Sequence, residues 1–132
     1  MFKLVLADGV FDLLHVAHIR HLQQARTFGL LAVGVTRDAF VNKVGRPIFP
    51  EDERLEMIRS LACVYRAELV NDSLEALKLF APAVFCKGSD YKAKGLLPEE
   101  YAFCAEHGIE IVHTEPNPQT TTSIIERIRC TS

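Results

Sequence analysis

The chain has 132 residues, of which 48% are hydrophobic and 24% charged, so it is long enough for one hydrophobic core and too short for two ordinary domains. Its net charge of −2 provides no long-range attraction to nucleic acid or to an anionic membrane, and no apolar run approaches the roughly 20 residues of a membrane span. We therefore expect a single domain over residues 1–132, with no nucleic-acid partner and no membrane, in which any phosphate is bound by a local site.

The N-terminal stretch and the cysteines indicate the compartment. The sequence reaches the charged Asp8 too soon for a signal peptide, so we expect none and predict a cytoplasmic protein. The cysteines form no C-x-x-C pair and have apolar or helical neighbours, which favours buried free thiols over disulfides or a zinc site. They are Cys63, Cys86, Cys104 and Cys130.

Short apolar runs alternate with segments of helical length along the whole chain. The predicted strands are 3–7, 30–36, 67–70, 83–87 and 109–114. The predicted helices are 16–27, 50–61, 73–80, 98–107 and 122–129. Because the strands are mostly apolar and the connections short, we expect a parallel sheet covered on both faces. The fold class is α/β, a Rossmann-like doubly wound five-stranded parallel sheet with helices on both faces.

The polar clusters of the sequence follow the predicted strands. Segments 7–12, 36–43, 87–92 and 114–123 come at or just after strand ends. In a doubly wound sheet these ends share one edge, and ligands bind beyond it where the strand order reverses. The candidate site is therefore at this edge.

Three histidines, His15, His18 and His21, are spaced three apart at the start of the first helix. Gly9 allows a tight turn before that helix, and the free N–H groups of a helix N-terminus favour an anion. Imidazoles one turn apart add donors at the same place. A zinc site needs further ligands, and the remaining histidines and the cysteines lie elsewhere in the sequence. We favour anion binding by His15 and His18, with ordinary packing for His21.

The stretch "GVFDLLHVAH" (9–18) resembles the G-x-F-D-x-x-H-x-G-H signature of the cytidylyltransferase-like nucleotidyltransferases. Three later stretches, "RPIFPEDERLEMIRSLACV", "VFCKGSDY" and "TTTSII", are similar to further segments of that family, so the resemblance covers nearly the whole chain. Within the family the sequence is most similar to the heptose 1-phosphate adenylyltransferase domain, and next to glycerol-3-phosphate cytidylyltransferase.

The resemblance implies transfer of a nucleotidyl group from ATP or CTP to a phosphorylated small molecule, and we favour ATP and a sugar phosphate. It implies catalytic roles for His15, His18 and Lys43. The nucleotide-binding residues it implies are Gly9, Val10, Phe11, His15, His18, Lys43, Lys87, Asp90, Thr120, Thr121 and Thr122. Those implied for the acceptor are Asp12, Asp38 and Arg54. Mg²⁺ is expected to arrive with the nucleotide, with no metal ligands on the protein.

Several of these positions also have a second interpretation. Ala17 stands where the signature has glycine, so a non-catalytic nucleotide-binding module is the alternative of a different class. Flavin mononucleotide and phosphopantetheine are alternative acceptors, because relatives adenylate them. Lys43 is otherwise a solvated loop lysine, Arg54 a helix residue paired with an acid, and Asp90 a helix cap.

The segment 41–50, "VNKVGRPIFP", carries apolar residues in a loop that polar residues would ordinarily occupy. Val44, Ile48 and Phe49 are either part of an interface between two copies or part of a lid over the nucleotide. Because Pro47 and Pro50 stiffen the segment and a lid must move, we favour a homodimer.

Overall fold

The chain folds around a five-stranded parallel sheet in a computed structural model that describes residues 2–116 and 126–128. The strands are β1 (Leu4–Gly9), β2 (Leu30–Thr36), β3 (Val64–Val70), β4 (Val84–Lys87) and β5 (Glu110–His113). The helices are α1 (Val16–Arg26), α2 (Glu51–Arg59), α3 (Ser73–Phe80), α4 (Tyr91–Lys94) and α5 (Pro98–His107), with a 3₁₀ turn at Asp38–Phe40. The strand order β3-β2-β1-β4-β5 reverses direction between β1 and β4, which confirms the doubly wound α/β prediction.

Two hydrophobic clusters cover the two faces of the sheet. Alternate β1 residues point to opposite faces, so Val5 packs with α1 and α2 while Leu6 packs with α3 and α5. The first cluster includes Leu22 of α1 and Ile58 of α2, and the second includes Leu77 of α3. The helices therefore pack on both faces of the sheet. Because the strands are parallel, the loops beyond β1 and β4 lie at the same edge.

The predicted element boundaries differ from the observed ones mainly at β3. This strand begins at Val64, three residues before the predicted start, because it lies at the edge of the sheet and its exposed Tyr65 and Arg66 break the apolar pattern. The 3₁₀ turn and α4 are too short to produce a periodic pattern and were not predicted. The predicted helix 122–129 is described only at residues 126–128, which are helical.

Two coarser expectations concern cysteines and membranes. Cys86 and Cys104 are buried free thiols, as predicted, whereas the free thiol of Cys63 is half-buried, and Cys130 lies outside the described residues. Of the described helices, α1 is the longest at 11 residues, and none is long and apolar enough to cross a membrane.

The connection from α1 to β2 depends on Gly29. The N–H of Leu30 donates to the carbonyl oxygen of Lys3 at 2.8 Å, which brings the Gly29 backbone directly against that carbonyl. A Cβ at position 29 would overlap with the Lys3 oxygen, which is backbone and cannot rotate away. Gly108, which ends α5 with a φ of 66°, has no heavy atom within 4 Å of the corresponding Cβ position.

We predict that Gly29→Ala lowers the free energy of unfolding by roughly 3 kcal/mol or more, because the backbone of β1 must shift. Gly108→Ala is the matched control and should cost only about 1 kcal/mol, the strain of a left-handed alanine. Urea unfolding of both variants measures the difference, and equal losses would contradict the steric argument.

Candidate active site

A cavity of about 490 Å³ opens at the carboxyl end of β1, where the strand order reverses. Its walls come from the β1–α1 turn, the first two turns of α1, the 41–50 segment and the β4–α4 turn. The predicted site residues that line it are Gly9, Val10, Phe11, Asp12, His15, His18, Lys43 and Asp90. The polar segments after β1, β2 and β4 thus meet at one place.

The β1–α1 turn is shaped by two neighbouring residues of the signature. Phe11 is buried and has a φ of 53°, a left-handed conformation that is uncommon outside glycine. A Cβ on Gly9 would lie 3.2 Å from the Phe11 ring, so glycine at position 9 leaves room for that ring. The ring meets His18 edge-on, with centroids 5.5 Å apart. The turn therefore positions both the start of α1 and one of its histidines.

The two histidines of the signature cap α1 reciprocally. His15 is the N-cap residue, and its Nδ1 accepts a hydrogen bond from the N–H of Ala17 at 3.1 Å. The N–H of His15 donates to Nδ1 of His18 at 3.2 Å. Because each Nδ1 accepts from a backbone N–H, each neutral imidazole carries its proton on Nε2. The rings lie side by side with centroids 4.0 Å apart, and both line the cavity.

Both imidazoles are neutral at pH 7. Burial, helped by the neighbouring His15 and His21, lowers the pKa of His18 from 6.5 to about 4, and burial also lowers the pKa of His15. A neutral imidazole can donate a hydrogen bond from Nε2. Two neutral rings with centroids 4.0 Å apart also avoid the repulsion that two imidazolium cations would have. The pair is thus a set of fixed neutral donors at a helix N-terminus, where an anion is favoured.

His21, expected to be an ordinary packing residue, also lies on the cavity wall. Its Nδ1 lies 2.7 Å from Oγ1 of Thr114, just beyond β5. Burial lowers the pKa of His21, and the positive charge of Lys87 lowers it further. The third histidine therefore links α1 to the loop after β5, and its approach to the cavity was not predicted.

Asp12 was predicted to bind the acceptor; it lines the cavity, and its carboxylate is bound by the 46–49 segment. The side chain is buried and accepts from the N–H groups of Ile48 and Phe49 at 2.9 and 3.0 Å and from Nε of Arg46 at 2.6 Å. Burial alone would raise the pKa of Asp12, but the Phe49 and Ile48 N–H groups and Arg46 outweigh it and hold the pKa below its ordinary value. Asp12 therefore holds the 46–49 segment in place, since its oxygens are already occupied.

Arg54 and Asp38 were also predicted to bind the acceptor, and neither lines the cavity. Arg54 is fully buried, and its guanidinium donates to the carbonyl oxygens of Phe49, Val10 and Thr36 at 2.8 to 2.9 Å. Its Nη2 lies 2.6 Å from Asp38 Oδ1. Because every nitrogen of the guanidinium is used, Arg54 joins the 41–50 segment, the β1–α1 turn and the end of β2, with Asp38 as its counter-charge.

Lys87 was predicted to bind nucleotide, and in the structure it forms a buried ion pair. Its Nζ lies 2.9 Å from Oδ1 of Asp8, whose other oxygen accepts from the Ser73 hydroxyl. Burial alone would lower the pKa of Lys87, but Asp8 outweighs burial and the pKa is raised. Lys87 lines a neighbouring cavity of about 410 Å³, and Tyr91 lines both cavities. An acid directly before Gly9 at a strand end is the signal that could have identified Asp8.

The remaining predicted residues have simpler positions. Lys43 is exposed on the cavity wall, and Arg46, which was not predicted, lies on the same wall. Asp90 precedes α4 but its side chain makes no capping hydrogen bond to that helix. Asp90 lines the cavity. Among the described residues no three of His, Cys, Asp and Glu are grouped to hold a metal ion. The predicted phosphate contacts at Thr120, Thr121 and Thr122 lie outside the described residues.

The low pKa of His18 predicts a pH dependence of stability. Between about pH 6.5 and 4 the unfolded chain binds a proton at His18 that the folded chain does not, so the free energy of unfolding falls as the pH falls. We expect His18 to contribute on the order of 2–3 kcal/mol to this fall, and nothing above pH 6.5.

His18→Asn tests this prediction, because the amide oxygen can still accept from the His15 N–H. Urea unfolding at several pH values should show a shallower loss between pH 6.5 and 4 in the variant than in the wild type. His15 and His21 remain in both proteins and contribute with the same sign, so only the difference is assigned to His18. Parallel curves for the two proteins would show that His18 titrates normally.

Comparisons with known proteins agree with this geometry. The model of the cytidylyltransferase-like family matches residues 6–127. The chain is 38% identical to the bifunctional protein HldE of Geotalea uraniireducens and 33% identical to that of Geobacter sulfurreducens, in each case over 96% of the chain. It spans 27% of the length of these two relatives.

Solved structures are similar as well. A lipopolysaccharide core biosynthesis protein from Thermoplasma volcanium superimposes with a TM-score of 0.75 at 31% identity, covering 89% of this chain and 99% of the other. A protein of unknown function from Archaeoglobus fulgidus, 17% identical with a TM-score of 0.63, covers 86% of this chain and 89% of its own and shares the fold. With its signature turn, its paired histidines and a family match over residues 6–127, the chain belongs to the cytidylyltransferase-like family.

Proposed function

We propose that the chain is a nucleotidyltransferase that transfers AMP, or alternatively CMP, from a nucleoside triphosphate to a phosphorylated small molecule. The observation that carries the proposal is the pair His15 and His18, two neutral imidazoles whose Nε2 protons are set by backbone N–H donors at the start of α1. Membership of the cytidylyltransferase-like family supports the same reaction class.

The proposed step needs little covalent chemistry from the protein. An acceptor phosphate oxygen attacks the α-phosphorus in line, the bond from that phosphorus to the β-phosphate oxygen breaks, and pyrophosphate leaves with the electron pair. Negative charge grows on the non-bridging oxygens and on the leaving group. His15 and His18 donate hydrogen bonds to these oxygens from fixed positions, and Lys43 on the opposite segment supplies a positive charge.

We propose ATP as the nucleotide and a sugar phosphate of the heptose 1-phosphate type as the acceptor. The support is the similarity to the HldE relatives and to the lipopolysaccharide core biosynthesis protein of Thermoplasma volcanium. The chain corresponds to 27% of the HldE length, so the proposal covers one activity of those bifunctional proteins. CTP, and acceptors such as flavin mononucleotide or phosphopantetheine, are the alternatives within the same reaction class.

We also propose that Mg²⁺ enters with the triphosphate. Asp8, an acid on the cavity wall, already binds Lys87 and Ser73, and Asp12 is occupied by the 46–49 segment. Of the cavity-lining acids, Asp90 is the one for which no side-chain hydrogen bond or ion pair is described. Such walls fit an ion whose ligands are mainly phosphate oxygens and water, which is the coordination Mg²⁺ favours.

A second candidate, a non-catalytic nucleotide-binding module, is favoured by one observation. Ala17 lines the cavity at the signature's glycine position, so its methyl group occupies space beside the first turn of α1. A nucleotide displaced by this methyl group would bind without being aligned for in-line attack.

Pyrophosphate release, measured with each of the four nucleoside triphosphates against a panel of sugar and polyol phosphates, tests the reaction. We expect turnover with ATP and a sugar phosphate, and His18→Ala should lower kcat by about 10² or more because one transition-state donor is lost. His107→Ala is the matched control, since His107 stacks on Phe103 in α5, outside the cavity lining, and should leave turnover unchanged.

Preferred turnover with CTP would replace ATP in the proposal. Clear nucleotide binding without turnover for any pairing would favour the binding module. Equal losses in His18→Ala and His107→Ala would remove the signature histidine from the mechanism.

The 41–50 segment supports a proposed homodimer. Val44, Ile48 and Phe49 are exposed, yet the backbone N–H groups of the last two are held by the buried carboxylate of Asp12. A fixed backbone with outward apolar side chains suits a self-complementary interface better than a lid that must move.

We therefore expect a dimer in sedimentation velocity at micromolar concentration, and a monomer for the double variant Val44→Asp with Ile48→Asp. Leu79→Asp, at an exposed apolar residue of α3, is the control and should stay dimeric. A wild-type monomer, unchanged by nucleotide, would exclude the dimer and favour the lid.

A further inference from the structure

We propose that Arg46 is a phosphate-binding residue of the cavity, which holds a phosphate group through its Nη1 and Nη2 atoms while Asp12 holds its Nε edge. The inference rests on the proposed function in one respect, namely that the phosphate belongs either to the nucleotide or to the acceptor. Neither the histidine signature nor the other predicted contacts include this residue.

The position of Arg46 supports this role directly. The residue lines the cavity, and its side chain is 12% exposed. Nε lies 2.6 Å from Asp12 Oδ2, and Nη1 and Nη2 have no hydrogen-bond partner among the described residues. Since no buried side-chain nitrogen or oxygen in those same ranges lacks a partner, the two Nη atoms must reach solvent. Because Arg46 lines the cavity, we place its Nη1–Nη2 edge on the cavity side.

The ion pair with Asp12 orients the guanidinium and leaves part of the positive charge of Arg46 unbalanced. The Asp12 carboxylate also accepts from the N–H groups of Ile48 and Phe49, so its negative charge is shared among three donors. A guanidinium is planar, so fixing its Nε edge also fixes the direction of the Nη1–Nη2 edge. That edge presents two parallel N–H groups, which match two oxygens of one phosphate. The rotamer entropy that a flexible arginine would lose on binding is already lost here.

Arg54 and Arg46 use their guanidinium groups differently. Arg54 is fully buried, and each of its nitrogens donates to a protein oxygen. Arg46 lines the cavity and has one guanidinium nitrogen bound to a protein oxygen, whereas its Nη1 and Nη2 have no partner among the described residues. Lys87, the cation after β4, is neutralised by Asp8. The cations that line the cavity are Lys43 and Arg46 of the 41–50 segment, and Asp12 is the counter-charge of Arg46.

Two variants and one control test the inference. Arg46→Gln removes the charge and the paired donors. Arg46→Lys keeps a charge that can reach Asp12 but lacks the planar pair, so a residue needed merely to anchor the loop would be rescued by it. Arg20→Gln changes the charge equally at an exposed position of α1 outside the cavity lining. Thermal unfolding of each variant establishes that the protein remains folded.

Calorimetry with inorganic tripolyphosphate and with glycerol 3-phosphate, both in the presence of Mg²⁺, measures phosphate binding without a nucleobase. We expect Arg46→Gln to lower the affinity for one of these probes by about 10- to 100-fold, the range for charge-assisted hydrogen bonds. Arg46→Lys should recover little of the lost affinity. A loss confined to tripolyphosphate assigns Arg46 to the nucleotide, and a loss confined to glycerol 3-phosphate assigns it to the acceptor.

Affinities for both probes that match those of the wild type and of Arg20→Gln would overturn the inference. So would full recovery in Arg46→Lys, or a wild-type protein that binds neither probe. Absence of pyrophosphate release by the wild type, alongside a probe affinity that depends on Arg46, would overturn the proposed function and leave this binding role standing.

Discussion

The buried carboxylate of Asp12 is the interaction on which the candidate site depends. It lies in the turn between β1 and α1, and it binds Arg46, Ile48 and Phe49, which are 34 to 37 residues later in the chain. A carboxylate out of contact with water is strongly disfavoured unless donors surround it, so the folded chain must bring the 46–49 segment to this turn. One wall of the cavity and the turn at its base are therefore held together as a unit.

Arg54 also binds both parts of this unit, the 46–49 segment and the β1–α1 turn. It donates to the carbonyl oxygens of Phe49 and Val10, whereas Asp12 accepts from the N–H of the same Phe49. The peptide groups around Phe49 are thereby satisfied between one buried anion and one buried cation. Because Val10 belongs to the turn that carries the signature, Arg54 and Asp12 each connect that turn to the 46–49 segment. Loss of either side chain would leave buried backbone groups or a charge without partners, which is more costly than loss of an exposed ion pair.

The sequence predicted the parts of this arrangement that follow from periodicity and position. Apolar runs and helix boundaries identify the five strands and place the polar segments at one sheet edge, and the signature identifies His15 and His18. Burial of a charged side chain has no comparable local signal. The family resemblance implied that Asp12 and Arg54 bind the acceptor, and only long-range packing shows that both side chains are buried and bind backbone groups. Arg46 was not predicted either, because an arginine in a loop beside a proline belongs to no periodic pattern that would indicate its contacts.

The electrostatics of the cavity follow from which charges are cancelled and which are not. Asp8 neutralises Lys87, Asp38 neutralises Arg54, and the signature histidines are uncharged at pH 7 because burial lowers their pKa values. The cavity is lined by the imidazoles of α1 and by the cations Lys43 and Arg46 of the 41–50 segment, of which Arg46 is paired with Asp12. For the proposed function, neutral donors lose little solvation when a phosphate arrives, and Arg46, which Asp12 already holds, loses little entropy. The proposed function therefore requires no basic surface outside the cavity, which agrees with the net charge of −2.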